Sequence, residues 1–186
     1  MPATTTSDVG VGVGGVIAAQ VLVENMVVAG ILADEIIIGA HAAAERLVAA
    51  GHGAIINISS IAAIGPEILN GVYGGTKAFV LAFSQSLKKE LAGTGISVQV
   101  VLPGATATEF WSAAGVPVEH LPTEWVMSAS DLVDAALAGF DRGEFASIPS
   151  LQNGVEWDNY ESARLAMLPH LSNAKVAARY RPVEVA

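Results

Sequence analysis

The spacing of apolar positions divides the chain into helical and strand-like segments. Residues 34–50 place Ile37, Ala40, Ala44, Leu47 and Val48 at helical spacing, with Gly51 where a C-terminal cap sits, and this predicts a helix. Ala54-Ile55-Ile56-Asn57-Ile58-Ser59 is a short apolar run of the kind that forms a buried strand. A loop with two turn signals, Gly65-Pro66 and Asn70-Gly71, follows, and residues 73–92 read as a second helix closed by Gly93 and Gly95. Residues 96–102 form a second strand, stopped by Pro103-Gly104. Strand, helix, strand, with both strands continuously apolar, means a parallel sheet covered by helices, an α/β fold.

The flanks are less regular. Residues 9–32 are rich in Ala and Val with an ambiguous period, and a helix is expected there. The loop from Gly104 to Met127 is long and apolar, holding Phe110, Trp111, Val116, Val118, Leu121, Trp125 and Val126, as a lid or a binding wall does. Ser128-Ala129-Ser130-Asp131 has the form of a capping box and opens a helix to about Phe140, ended near Gly143. A short strand over residues 145–148 and a last helix over 155–167 complete the reading. With no tandem repeat and no linker, the expectation is one domain over 1–186, in which 1–32 is an atypical N-terminal segment.

Composition narrows the partners. The 186 residues are 52% apolar and 15% charged, enough for a sizeable core and too apolar for disorder. Lys and Arg number 9 against 18 Asp and Glu, a net charge of −9, and the first basic residue is Arg46. That balance argues against nucleic acid and anionic membrane surfaces as partners. Mean hydropathy is +0.51, yet the most apolar stretch, residues 9–33, is interrupted by Gln20, Glu24 and Asn25. No run reaches the ~18 residues of a spanning helix, so no membrane span is expected. Residues 1–8 carry no positive charge, unlike the start of a secretory signal. The absence of cysteine excludes disulfides, zinc-thiolate sites and thiol catalysis, and fits a cytoplasmic enzyme.

The chemistry centres on Tyr73 and Lys77, four apart and so one turn apart on one helix face. An ammonium beside a phenol favours the phenolate, which suits acid-base work. Such pairs also arise by chance on helix surfaces. Ser60 changes the weighting, because it lies at the carboxyl end of a predicted parallel strand, thirteen residues before Tyr73, where catalytic groups of such sheets gather. The four histidines show no metal spacing, and no Gly-x-Ser-x-Gly elbow is present. No metal site is expected.

Asn57-Ile58-Ser59-Ser60, Tyr73-Gly74-Gly75-Thr76-Lys77 and Pro103-Gly104-Ala105-Thr106-Ala107-Thr108, in that order, resemble the short-chain dehydrogenase/reductase family from about Ala33 to the last helix. The resemblance implies a Rossmann-like parallel sheet flanked by helices and an NAD- or NADP-dependent oxidoreductase of alcohols and carbonyls. It makes Tyr73 the general acid or base and Ser60 the hydrogen-bond partner of the reacting oxygen. Lys77 would assist Tyr73 and hold the nicotinamide ribose, while Pro103, Gly104 and Thr108 would line the nicotinamide end of the cofactor site. The family's glycine-rich phosphate turn and ribose selector precede the serine by more chain than exists here, so the fold is expected to be shortened at its amino end by roughly 80 residues of the dinucleotide-binding half. Counted back without gaps, the family's Asn-Asn-Ala-Gly loop falls on Ser7-Asp8-Val9-Gly10, where only Gly10 matches, and the family's helix asparagine falls near Leu32.

Gly10-x-Gly12-x-x-Gly15 also fits the dinucleotide fingerprint, with Asp34 and Glu35 about twenty residues on, although residues 4–9 make a poor preceding strand. A flexible connection is the competing reading of Gly10. The alternative for the whole chain is a non-catalytic truncated remnant or interaction module of the family. The apolar loop implies a small apolar or aromatic alcohol or carbonyl as substrate. Loss of the sheet's first half is expected to leave an open parallel edge at the strand before 54–59 or at 54–59 itself. Together with two apolar helices that pack across a dimer interface in the resembling family, that edge predicts a homo-oligomer.

Overall fold

A computed structural model describes residues 21–23, 26–29, 33–68, 71–108, 111 and 118–181, and the chain divides into two compact units, residues 1–150 and 151–186. In the first unit a five-stranded sheet runs in the order β1 (Val21–Val23), β2 (Met26–Ala29), β3 (Gly53–Ile58), β4 (Ile96–Val101) and β5 (Ala146–Ser147). β2, β3, β4 and β5 are mutually parallel, and β1 pairs antiparallel with β2. The helices are α1 (Ala33–Ala50), α2 (Gly71–Glu90) and α3 (Ala129–Asp141). This is the parallel α/β arrangement expected from the apolar strands, and the Rossmann-like sheet that the resemblance implies.

Two expectations are overturned. The stretch read as a helix over 9–32 holds strands at 21–23 and 26–29, and its remaining residues, with Gly10, lie outside those described. Four β-branched valines, Val21, Val23, Val27 and Val28, favour a pleated backbone, and the neighbouring β3 supplies hydrogen-bonding partners that no sequence window contains. Neither the strand at 54–59 nor the strand before it is consequently an open parallel edge, since β1 pairs antiparallel along the outer side of β2. β3 is flanked on both sides, pairing Met26 to Ala54 and Ala29 to Asn57 with β2, and Gly53 to Ile96 and Ile58 to Val101 with β4.

The two faces of the sheet take different helices. Ile55 and Val98, paired across β3 and β4, cluster with Ala40, Ala43 and Leu47 of α1 and Leu87 of α2. Burying a side chain such as Ile55 contributes about 1.5–3 kcal/mol. On the opposite face Gln99 donates through Nε2 to Ala136 O of α3 and to Ser147 Oγ of β5, both at 2.8 Å. α3 begins at an N-cap: Ser128 Oγ accepts from Asp131 N at 3.0 Å and donates to Asp131 Oδ2 at 2.7 Å. One turn is held by a glycine in the left-handed region: Gly95, φ +82°, sits against Gly51 O where any Cβ would collide with backbone. This contact joins the turns that precede β4 and β3, opposite the edge that carries the site.

The second unit contains α4 (Gly154–Met167). Asn153 caps it by accepting from Val155 N at 3.2 Å, and Trp157 stacks on Tyr160 at 5.4 Å between centroids.

Candidate active site

β3, α2 and β4 bring the predicted residues to one edge, the carboxyl end of the sheet. The ladder extends one residue beyond β3, since Ser59 N donates to Val101 O at 2.8 Å, and Ser60 then caps a 3-10 turn over Ile61–Ala63. Ser60 is 6% exposed. Its hydroxyl accepts from Ala62 N at 3.2 Å and has Pro103 O as acceptor at 3.5 Å. An O–H···O bond of that length is weak, so the Ser60 proton is readily redirected to a better-placed oxygen.

Tyr73 lies in the first turn of α2, half-buried, and Lys77 one turn further in. The Lys77 Nζ stands 5.7 Å from the centroid of the Tyr73 ring, so the spacing of four does place the two side chains together. Lys77 is 4% exposed, and its ammonium donates to Ile58 O at 3.3 Å. Burial away from water lowers its pKa from the ordinary lysine value.

The end of β4 lies alongside. Ile61 N donates to Pro103 O at 3.0 Å, which joins the segment after β3 to the one after β4. Gly104 faces Ser150 and Ile61, and Thr106 Oγ1 donates to Gly104 O at 3.2 Å. Thr108 is exposed and lies beyond this crossing. The apolar loop leaves and returns here: Ala107 N donates to Met127 O at 2.8 Å, and Trp111 Nε1 donates to Thr106 O at 2.7 Å. Trp111 is thereby fixed at the base of the loop, whereas Trp125 is 68% exposed. Phe110 and residues 112–117 lie outside those described.

Three features of this edge are not among the residues picked from sequence. Ser59 Oγ donates to Lys77 O at 2.8 Å, and Asn57 Nδ2 donates to Ser84 Oγ at 2.9 Å, both deep between β3 and α2. The parity of the strand is the signal for both, because Asn57 and Ser59 share the face of Ile55, which meets the helices. The third is Gly74, where a Cβ would come within 2.8 Å of Pro66 Cβ, so the turn at 66–68 presses on α2 directly beside Tyr73. Among the described residues no group of three His, Cys, Asp or Glu is arranged to hold a metal, and no helix is long and apolar enough to cross a membrane.

A family model described as short chain dehydrogenase matches residues 31–116, which span Ser60, Tyr73, Lys77 and Pro103. A short-chain dehydrogenase from Sphingobium yanoikuyae, solved in complex with NADPH, is 47% identical with a TM-score of 0.75 over 80% of this chain. Residues 31–116 thus match the short-chain dehydrogenase/reductase family. Another solved member, the bulky-bulky ketone specific alcohol dehydrogenase from Comamonas testosteroni, is 40% identical with a TM-score of 0.69, covering 80% of this chain and 55% of its own. A probable NADP-dependent dehydrogenase of Haemophilus influenzae is 54% identical over 66 residues, 35% of this chain and 26% of that protein. The chain spans 57% of the Sphingobium protein and about a quarter of the Haemophilus one.

Proposed function

We propose that this chain carries the catalytic centre of an NAD(P)-dependent oxidoreductase interconverting an alcohol and a ketone or aldehyde. The observation that carries the reading is the burial of the Lys77 ammonium beside the Tyr73 ring. Removing an ammonium from water is costly, and a fold gains nothing from it that an apolar residue would not supply better. Ionisable groups with perturbed pKa values collect where chemistry needs them. Lys77 also fits the nicotinamide ribose, since its one carbonyl acceptor among the described residues, Ile58 O, leaves N–H groups for hydroxyl oxygens. The relatives from Sphingobium and Haemophilus, named for NADPH and NADP, support the same cofactor class.

In the reducing direction Tyr73 gives its phenolic proton to the substrate oxygen, and in the oxidising direction it takes that proton back. The bound nicotinamide supplies or accepts the hydride. The Lys77 ammonium stabilises the negative charge that Tyr73 acquires on giving up its proton. Ser60 donates to the reacting oxygen, exchanging its long bond to Pro103 O for a shorter one, and thereby orients the carbonyl. Pro103, Gly104 and Thr108 line the nicotinamide side, and Gly10 contributes to cofactor binding. Trp111, held by Thr106, forms the substrate wall and favours apolar or aromatic substrates, a reading the bulky-ketone specificity named for the Comamonas relative supports. The proposed working form is a cytoplasmic homo-oligomer.

Titration with NADPH and NADH, followed by melting temperature, tests the reading. A ligand at a hundred times its Kd stabilises a protein by about 2.7 kcal/mol, a plain rise in Tm. A rise with either cofactor supports the proposal. No rise with both replaces it with the remnant or interaction-module reading.

A further inference from the structure

Lys77 is gripped at both of its ends by the last residues of β3. Its ammonium donates to Ile58 O at 3.3 Å, and its own carbonyl oxygen accepts from Ser59 Oγ at 2.8 Å. Ser59 is 3% exposed, and its backbone N–H is tied to Val101 O of β4. One residue therefore joins β4, β3 and α2 at the level of the site. The Lys77 carbonyl, in the middle of a helix, already accepts an intrahelical bond, so α2 does not need the Ser59 hydroxyl in order to form. What the hydroxyl adds is the register and roll of α2 against the strand end.

We propose that Ser59 is a positioning residue: its hydroxyl fixes the Lys77 backbone against the end of β3 and so keeps the Lys77 ammonium packed beside Tyr73. This rests on the reading of Lys77 as part of the reaction centre. Without the hydroxyl, the turn of α2 carrying Lys77 is free to move away from the strand, and the ammonium then gains water. Because burial holds the Lys77 pKa down, gaining water moves it back up toward the ordinary lysine value. Among the described residues, Tyr73 is the titratable side chain packed against the ammonium.

The test uses the full chain carrying carbon-labelled lysine, with NMR titration of Lys77 assigned through Lys77→Arg; only Lys88, Lys89 and Lys175 share the spectrum. Ser59→Ala is expected to raise the Lys77 titration midpoint by about half a pH unit, a threefold change in its proton affinity, while Ser59→Thr keeps the wild-type midpoint. Should Ser59→Ala not yield folded protein, Ser59→Val against Ser59→Thr carries the same comparison at nearly equal volume. An unchanged midpoint in the variant lacking the hydroxyl, or an equal shift in the variant retaining it, overturns the proposal. The titration needs neither cofactor nor turnover. A failed redox assay beside a shifted midpoint thus rejects the proposed activity and leaves the role of Ser59 standing.

Discussion

Replacing Lys77 by methionine sets activity against stability in a way that a merely structural lysine would not. Lys77 is 4% exposed and its ammonium makes one bond, to Ile58 O at 3.3 Å. A charge-assisted hydrogen bond contributes about 1.5–3 kcal/mol. The effective penalty for burying an ammonium is several kcal/mol, and Met fills nearly the same volume without a cavity. The balance favours the variant by roughly 1–2 kcal/mol after Ile58 O loses its side-chain donor, which is a Tm rise of about 2–8 °C for a chain of this size. The pH dependence has a definite sign. With the folded-state pKa of Lys77 below the unfolded value of 10.5, the unfolded chain binds more protons between the two, so wild-type stability rises with pH through that window. Lys77→Met lacks this gain, and its advantage shrinks as the solution is made alkaline. Chemical denaturation monitored by circular dichroism from neutral to alkaline pH gives both quantities. A variant less stable than wild type at neutral pH, or an advantage that widens with pH, refutes the reasoning.

Gly74→Ala places a methyl 2.8 Å from Pro66 Cβ, and the stiff proline ring cannot yield cheaply, so a loss of about 1–3 kcal/mol by thermal denaturation and a drop in turnover are expected. Trp111→Ala is expected to broaden or shift preference across a panel of aromatic and aliphatic ketones far more than Trp125→Ala, because Trp111 is anchored to Thr106 O and Trp125 is 68% exposed. Equal panels for both variants and wild type would make the loop structural. Light scattering is expected to find a multiple of the 19.0 kDa chain mass, since Val72 is 81% exposed and Phe79 and Val48 lie uncovered on the two helices; a monomer contradicts this.

What the sequence made legible was local. Tyr73 and Lys77 are one helical turn apart, Ser60 ends an apolar run, and Pro103-Gly104 stops the next, so each motif declared its own element and the parallel sheet carried them to one edge. β1 and β2 were not legible, because runs of Ala, Val and Gly suit either period and the partner that decides, β3, lies about two dozen residues away in the chain. The expectation of an open parallel edge at β3 or the strand before it failed for the same reason. Choosing between Ser59 and Ser60 shows a different limit. The motif reading selected the serine at the strand end, and only strand parity tells that Ser59 turns toward α2, where it meets the Lys77 carbonyl.

The most direct test of the central claim is the rate of NADPH- or NADH-dependent reduction of an aromatic ketone by wild type and Tyr73→Phe, measured side by side with their melting temperatures. The substitution removes the hydroxyl of a half-buried side chain and keeps the ring against which the Lys77 Nζ stands at 5.7 Å. Turnover by the wild-type chain, falling by about a hundredfold or more in Tyr73→Phe with little change in Tm, is the predicted result. Undiminished turnover in Tyr73→Phe, or none in wild type, would contradict it.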